Sequence, residues 1–302
     1  MFRELHGDSV KENIEEYIRG AVSEFAEKGI TPKLAVIRAG DDDGQIYYES
    51  AIIRQSELYG IETQVISFDQ NISQALLEVA LQAVNEDEGV HGIILLRPFP
   101  DSIDSERLRG MLNPAKDVDA ITDISMAELF VGKEDAFFAC TAEACMELAR
   151  FYGIRLAGRR VTILGRSITV GKPLAMMMLS ENATVTICHS GTPDEDVARA
   201  CRDADVVVLA TGLTEHFGSR YFRDGQTVID VGTGTGRDGT MHGDLDIEEI
   251  MQSGTIKDLA YTPVPGGIGG VTTSILLRNI IKAAKKEQQS RWTGIVSLQE
   301  MM

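Results

Sequence analysis

Short strand-like runs alternate with helix-like stretches along most of the chain, and this alternation constrains the fold more than any other feature. The first block contains the runs KLAVIRAG, TQVISF and GIILLRP, with helical stretches near residues 9–28, 45–60 and 72–86. The second block contains RVTILG, ATVTICH, ADVVVLATG and TVIDVG at the same rhythm. Strands that alternate with helices predict βαβ units, and therefore largely parallel sheets covered by helices on both faces.

The change from one block to the next predicts the domain boundary. A chain of 302 residues is long enough for two domains of ordinary size. The segment 110–140 contains the loop-like run NPAKDVDAITD, so we place the domain change after it. The prediction is a two-domain α/β protein, with one domain over residues 1–140 and a second, parallel-sheet domain over residues 141–271.

Charge and composition exclude several classes of protein. The net charge of -17, from 29 basic and 46 acidic residues, argues against a surface for nucleic acid or an anionic membrane. The apolar runs are too short to cross a bilayer, and the polar N-terminus has no signal-peptide core, so we expect a soluble, cytoplasmic protein. The four cysteines and five histidines lack the grouping of a zinc site, so we predict no metal and reduced, buried thiols.

The stretch RVTILGRSITVGKP predicts a phosphate-binding turn. A strand runs into Gly165, followed by Ser167 and Gly171, and Pro173 suits the first turn of a helix. Such a strand-to-helix turn directs backbone N–H groups and a helix N-terminus at a pyrophosphate. The spacing departs from GxGxxG, so by itself this pattern also fits an ordinary tight turn.

The end of the following strand predicts which nucleotide binds. An NAD site carries an acidic residue there for the ribose 2′-hydroxyl, whereas ATVTICHS ends in His189 and Ser190. Arg166 lies within the glycine turn. A cation and a hydroxyl without a repelling acid suit a 2′-phosphate, which favours NADP over NAD. The alternative for Arg166 is a surface arginine paired with a nearby acid.

Two prolines and four glycines lie close together in YTPVPGGIGGVTTSILLRNII, just before a predicted helix. Glycines at this density suit backbone that approaches a flat ligand closely. A rigid crossover between domains is the alternative, and the two are compatible.

Taken in order, these motifs resemble those of the methylenetetrahydrofolate dehydrogenase/cyclohydrolase family. The first half adds AGDDDGQIYYES, HGIILLRPFP and PAKDVDA, so the resemblance covers roughly residues 30–285. It implies two α/β domains with a cleft between them, folate on the first and NADP on a Rossmann-like second domain. It also implies that the final helix, about residues 272–302, returns to the first domain, and that the protein is a homodimer through its nucleotide domains.

The resemblance carries over to individual residues on the cofactor side. The positions that match the family's NADP contacts are Gly165, Arg166, Ser167, Gly171, Ser190, Thr211, Gly212, Gly232 and Pro263. The positions that match its folate contacts are Tyr48, Asp119, Pro265, Gly266 and Gly267. Tyr48 and Asp119 are the expected catalytic-site residues, and Asp119 is expected to hold the pterin ring.

The folate side departs from the family pattern at two positions. The family has a lysine four residues after the tyrosine, and an ungapped match places Ile52 there. The family's QLPLP is LRPFP here, so Leu96 replaces the glutamine that contacts that lysine. Losing both partners together is less costly than burying either one alone. The alternative is a local shift of helix register, with Arg54 or Arg97 supplying the cation.

The chemistry separates the family's two reactions. Hydride transfer mainly requires that donor and acceptor be held in near-attack geometry, whereas hydrolysis of the methenyl product requires acid/base groups. Isoleucine is no acid or base, and the reference pKa of tyrosine near 10 makes Tyr48 a poor base. We therefore predict an NADP-dependent methylenetetrahydrofolate dehydrogenase with weak or absent cyclohydrolase activity. A fully bifunctional enzyme and a non-catalytic or re-purposed NADP-binding paralogue with another ligand are the alternatives.

Overall fold

The computed structural model describes the backbone of residues 1–300 and the side chains of residues 1–289. The strands are β1 (Phe2–Glu4), β2 (Lys33–Ala39), β3 (Glu62–Phe68), β4 (Gly92–Leu95), β5 (Arg160–Leu164), β6 (Thr184–Cys188), β7 (Val206–Leu209), β8 (Gln226–Asp230), β9 (Gly234–Thr235), β10 (Met241–His242) and β11 (Leu259–Tyr261). The α-helices are α1 (Asp8–Glu27), α2 (Asp43–Tyr59), α3 (Gln74–Glu86), α4 (Ser105–Met111), α5 (Asp123–Phe130), α6 (Cys140–Phe151), α7 (Gly171–Ser180), α8 (Asp194–Asp203), α9 (Ile247–Ser253) and α10 (Ile268–Glu300). Two short 3-10 helices lie at Pro114–Lys116 and Ser219–Tyr221.

The chain divides into two compact units. The six-stranded unit comprises Met1–Asn13, Leu129–Glu134 and Ala139–Thr272, and the three-stranded unit comprises Ile14–Glu128, Asp135–Phe138 and Thr273–Met302. Each unit contains parallel strands with helices between them, which confirms the predicted two-domain α/β fold.

The three-stranded unit is built on a parallel sheet in the order β3-β2-β4. The central strand β2 is apolar because both of its faces are covered, and Leu34 through Ile37 are fully buried. The edge strand β3 alternates between more and less exposed residues instead. Helices α3 and α4 complete a core that includes Ile37, Leu77, Ile93 and Leu108.

The six-stranded unit has a parallel sheet in the order β1-β11-β8-β7-β5-β6. All four residues of β7 are buried at the centre of this sheet, whereas β6 forms an edge with mostly exposed residues. Because the strands are parallel, the carboxyl ends of β5, β6, β7, β8 and β11 lie along one edge of the sheet. In open parallel sheets this edge is where ligands bind.

The N-terminus differs from the predicted domain division. Residues Phe2–Glu4 form β1, which pairs with β11 at the edge of the six-stranded sheet, so Met1–Asn13 belong to that unit. The three residues are polar or half-exposed because only one side of the strand is paired, and no apolar run marks them in the sequence.

The loop-like run NPAKDVDAITD, within the segment 110–140, leads directly into a helix that the sequence analysis did not predict. Residues Asp123–Phe130 form α5, and a 3-10 turn occupies Pro114–Lys116. The preceding helix α4 was also missed, because helices of seven and eight residues give too few turns for a clear apolar period.

All four cysteines are buried and unbridged, as predicted. Burial raises the pKa of the Cys145 and Cys201 thiols to about 12, which keeps them protonated and unreactive. Among the described residues, no helix combines the length and the apolar character that a bilayer crossing needs.

Candidate active site

A tight glycine turn joins β5 to α7, as the sequence predicts. Gly165 has a φ of 128°, and a Cβ there would lie 2.4 Å from the carbonyl oxygen of Ala210. A Cβ on Gly171, the first residue of α7, would lie 2.1 Å from the carbonyl oxygen of Gly165. Only glycine fits these two positions, so the N-terminus of α7 lies directly beside the strand end, where it favours an anion.

The residues predicted to bind the cofactor phosphates share a cavity of ≈ 450 Å³ beside this turn. Arg166, Ser167 and Ser190 line it and are exposed. Ser167 orders the turn, since its Oγ accepts a hydrogen bond of 3.1 Å from the Val170 N–H. Arg166 forms no ion pair with any described residue, so its guanidinium is available to an anionic ligand.

One carboxylate, Asp194, also lines the cavity. It accepts a hydrogen bond of 2.6 Å from the Tyr221 hydroxyl and lies 2.7 Å from the guanidinium of Arg220. The Tyr221 hydroxyl and then the Arg220 charge hold the pKa of Asp194 below its usual value. Because Asp194 is already paired, its repulsion of a 2′-phosphate in the cavity is reduced.

Two buried aspartates hold the loops that follow β7 and β8. One Oδ of Asp244 accepts hydrogen bonds from the Thr211 N–H at 2.7 Å and the Gly212 N–H at 3.2 Å. Asp230, at the end of β8, accepts from the Gly232 N–H at 2.9 Å and the Leu245 N–H at 2.8 Å. The predicted cofactor residues Thr211, Gly212 and Gly232 are therefore positioned by carboxylates that sequence reasoning missed.

The charge of Asp244 acts on the buried carboxyl of Asp230. Burial, with a smaller contribution from the charge of Asp244, raises the pKa of Asp230 to about 7, although the backbone N–H groups that bind its carboxylate act in the opposite direction. A Cβ on Gly232 would lie 2.1 Å from the second Oδ of Asp244, so glycine is required where that loop crosses the pair.

The loop between β11 and α10 contains Pro263, Pro265, Gly266 and Gly267. Gly266 has a φ of 106°, and its carbonyl oxygen accepts a hydrogen bond of 2.8 Å from the Gly7 N–H. A Cβ on Gly7 would lie 2.1 Å from the carbonyl oxygen of Gly267. Close backbone packing therefore requires glycine at position 7, where the chain before α1 lies against this loop.

Helix α2 presents one buried stripe in the three-stranded unit. It is capped by Asp42, which accepts a hydrogen bond from the Gln45 N–H, and it ends at Gly60 in the left-handed conformation. Gln45 and Ile52 lie on the buried stripe, and Tyr48 lies between them, half-buried. Ile52 is fully buried, whereas Arg54 is exposed.

The chain leaving β4 lies next to the start of α2. The amide Nε2 of Gln45 donates a hydrogen bond of 2.6 Å to the carbonyl oxygen of Pro98. Leu96 is 4% exposed and Ile52 is fully buried, so the two positions expected to depart from the family pattern carry buried apolar side chains. Arg97 is half-buried, and its Nη2 lies 3.8 Å from Oδ2 of Asp119.

Asp119 is held in place by its neighbours. Asp117 is fully buried and accepts hydrogen bonds from the Ile121 N–H at 3.0 Å and the Thr122 N–H at 2.8 Å. Asn279 donates a hydrogen bond of 2.9 Å to the carbonyl oxygen of Val118. With the residues on both sides fixed, the Asp119 carboxylate has a defined position, and its side chain is 20% exposed.

The structure thus groups the predicted residues into two sets. The nine cofactor positions and the Pro265–Gly267 loop belong to the six-stranded unit, whereas Tyr48, Ile52, Leu96 and Asp119 belong to the three-stranded unit. Among the described residues, no group of histidines, cysteines and carboxylates could hold a metal ion.

Comparison with known proteins identifies the family. The model for the tetrahydrofolate dehydrogenase/cyclohydrolase catalytic domain matches residues 5–119, and the model for its NAD(P)-binding domain matches residues 139–288. The chain belongs to the tetrahydrofolate dehydrogenase/cyclohydrolase family. This confirms the predicted family, its dehydrogenase activity and the assignment of the dinucleotide site to the second half of the chain.

Several relatives match over almost their whole length. The chain is 38% identical to Bifunctional protein FolD 1 of Desulfitobacterium hafniense over 94% of its own length and 99% of the relative. A bifunctional FolD structure from Campylobacter jejuni has a TM-score of 0.89 and 33% identity, covering 95% of this chain and all of that one. A Trypanosoma brucei structure, solved with NADP and an inhibitor, has a TM-score of 0.87 and 30% identity, covering 93% of this chain and 97% of that one.

Proposed function

We propose that the chain is an NADP-dependent 5,10-methylenetetrahydrofolate dehydrogenase. The glycine turn at the N-terminus of α7, with Arg166 and Ser190 exposed at the cavity beside it, carries the proposal. The turn has no room for a Cβ at its glycines, so backbone N–H groups and the helix N-terminus can approach a pyrophosphate closely. The guanidinium of Arg166 has no ion-pair partner among the described residues and suits the third phosphate group of NADP. The NADP bound to the Trypanosoma brucei relative supports the same cofactor.

The proposed reaction depends mainly on position. NADP, when bound, supplies the acceptor for a hydride from the methylene carbon of the folate. The residues of this chain contribute binding and orientation: Asp119 accepts hydrogen bonds from the pterin ring and Tyr48 lies beside it on α2. Orientation of this kind supplies a large part of the acceleration when no proton has to be transferred.

Hydrolysis of the methenyl product is the second candidate activity. The relatives named above as bifunctional favour it, and on the comparisons alone the fully bifunctional reading is the better supported. The observation against it is Ile52, a fully buried isoleucine at the position that matches the family lysine. No acid/base group is available from this side chain, so hydrolysis would require a different residue to transfer the proton.

One experiment tests both activities. Purified protein is incubated with methylenetetrahydrofolate and either NADP or NAD, while reduced nicotinamide and methenyl absorbance are followed together. The proposal predicts reduction of NADP with accumulation of the methenyl product. Reduction of NADP with rapid loss of methenyl absorbance would establish the bifunctional enzyme, and no reduction with either nucleotide would refute the dehydrogenase.

Assembly and location form part of the proposal. Composition leads us to expect a cytoplasmic protein, and the resemblance implies a homodimer through the nucleotide domains. Strand β6 offers an exposed sheet edge on the six-stranded unit, with Ile187 37% exposed. Light scattering at several concentrations measures the mass directly, and a monomer at all of them would contradict the dimer.

A further inference from the structure

An arginine lies beside the carboxylate expected to hold the pterin ring. Arg97 Nη2 is 3.8 Å from Asp119 Oδ2, and the two side chains are 27% and 20% exposed. This distance allows electrostatic attraction, but it exceeds the 2.7–3.2 Å of a hydrogen bond. The contact therefore keeps opposite charges together without using the directional donors of the guanidinium at that oxygen.

Two polar atoms near this pair are buried without a hydrogen-bond partner. One is Nε of Arg97 itself, and the other is Oε1 of Gln45. Gln45 is only 5% exposed, and its Nε2 is already bound to the carbonyl oxygen of Pro98, the residue after Arg97. Buried donors and acceptors are normally paired, so these two atoms mark a polar region whose hydrogen bonds the described residues leave incomplete.

The position of this arginine follows from the sheet. Strands β2 and β4 are adjacent and parallel, so the start of α2 and the residues after β4 lie at the same edge. Ile93 forms a bridge with Asp117, which aligns the segment containing Asp119 with the segment containing Arg97. Where the family pattern QLPLP has leucine, this chain has Arg97.

We propose that Arg97 binds the 4-oxo group of the pterin ring while Asp119 binds its amino edge. A 2-amino-4-oxopyrimidine presents two N–H donors followed by one carbonyl acceptor along one side. A carboxylate followed by a guanidinium presents the complementary order, and the rigid fork of arginine suits a planar partner. This inference rests on the proposed folate substrate. It adds the residue that distinguishes a 4-oxo group from a 4-amino group on the ring.

The proposal also explains which activity the substitution supports. Arginine stays protonated in proteins, so Arg97 can bind and orient a ring but cannot transfer a proton to a leaving nitrogen. In this chain the α2 position expected to match the family lysine is Ile52, and a positive charge lies on the segment after β4 instead. This arrangement serves hydride transfer, which needs orientation, and leaves the hydrolytic step without its acid/base group.

Calorimetry with two ligands tests the proposal at saturating NADP. The probes are tetrahydrofolate and its 4-amino counterpart, which carries an amino group in place of the 4-oxo group. The wild type is expected to prefer tetrahydrofolate, and Arg97→Leu is expected to reduce the ratio of the two affinities by about 10- to 100-fold, typical of a charged hydrogen bond. Any preference due to Asp119 alone cancels when the two ratios are compared.

Three further measurements make the result specific. Arg97→Lys keeps the charge without the fork and is expected to restore only part of the ratio. Arg109→Leu removes another partly buried arginine of the same unit, which lies 3.2 Å from Asp123, and is expected to behave as the wild type. NADP affinity is expected to be unchanged in all variants, which also verifies that they are folded.

The outcomes separate this inference from the proposed function. A wild type that binds tetrahydrofolate, together with an unchanged affinity ratio in folded Arg97→Leu and Arg97→Lys, overturns the role of Arg97 alone. A wild type that binds neither pterin overturns the folate dehydrogenase, and this inference with it.

Discussion

Raising the pH from about 4 to about 7 should destabilise the protein, because folded Asp230 retains a proton that the unfolded chain releases. This side chain is 2% exposed, and burial, with a further contribution from Asp244, raises its pKa from 3.8 to about 7 in the folded state. The folded protein therefore keeps a proton that the unfolded chain releases near pH 4. The corresponding stability is complete below about pH 4, falls as the pH rises to about 7, and is absent above it.

The structure sets the magnitude. A pKa difference of about three, at about 1.4 kcal/mol for each pKa unit, corresponds to about 4 kcal/mol of unfolding free energy lost over that pH range. Asp230→Asn removes the titration but replaces one acceptor oxygen by an amide NH₂. One of the backbone N–H groups of Gly232, Asp244 or Leu245 then loses its acceptor, which costs about 1–3 kcal/mol.

The lost acceptor lowers the unfolding free energy of Asp230→Asn at every pH. The removed titration spares the variant the loss of stability that the wild type suffers as the pH rises. We expect Asp230→Asn to be less stable than the wild type at pH 5 and as stable or more stable at pH 8, with the curves crossing between. Urea denaturation followed by circular dichroism at pH 5, 6, 7 and 8 measures this difference. Asp203→Asn, at an exposed position on the same unit, is the control and should run parallel to the wild type.

If the unfolding free energies of the wild type and Asp230→Asn differ by the same amount from pH 5 to pH 8, the reasoning is refuted. It would mean that Asp230 is already charged in the folded state at pH 5, with its backbone hydrogen bonds compensating for burial.

Three other predictions concern ligands. Arg166→Ala should remove most of the preference for NADP over NAD, about 1–3 kcal/mol for a charge-assisted contact, in calorimetric titrations with both nucleotides; equal wild-type affinities for the two would contradict it. Asp119→Ala should weaken tetrahydrofolate binding while leaving the NADP dissociation constant unchanged, and a parallel loss of both would indicate a folding defect instead. Wild-type hydrolysis of methenyltetrahydrofolate should hardly exceed the buffer rate, and Ile52→Lys with Leu96→Gln should raise it towards the 10²–10⁴-fold typical of an acid/base group. Ile52→Lys alone should do less, because its ammonium would be buried without a partner, and fast wild-type hydrolysis would establish the bifunctional enzyme.

The sequence was sufficient to predict the parallel sheets and most of the dinucleotide site. Strands such as β5 and β7 are short apolar runs because both faces of a parallel sheet are covered, and this composition is visible without a structure. Gly165 and Gly171 follow from the same reasoning, since a strand that turns directly into a helix leaves no room for a Cβ. Constraints of this kind depend on residues that are close in the sequence, so they can be recognised without a structure.

Features that depend on distant segments were not predictable. Strand β1 is three residues long and becomes recognisable only through its pairing with β11, more than 250 positions away. Asp230 and Asp244 are fourteen residues apart, and only the fold brings them together. Their carboxylates accept hydrogen bonds from the backbone N–H groups of Thr211, Gly212 and Gly232. An aspartate at a strand end, as in VIDVG, was the available signal, but it did not distinguish a ligand-binding carboxylate from one that binds backbone.

The folate side combines both kinds of information. Motif matching predicts that Ile52 and Leu96 stand in place of a polar pair, and the structure adds that both side chains are buried. The same motif placed Arg97 next to Leu96, but its relation to Asp119 required the bridge between β4 and the following loop. Under the proposed function, a guanidinium beside Asp119 and an isoleucine at position 52 would meet the need of hydride transfer for orientation, but not the need of hydrolysis for a proton donor.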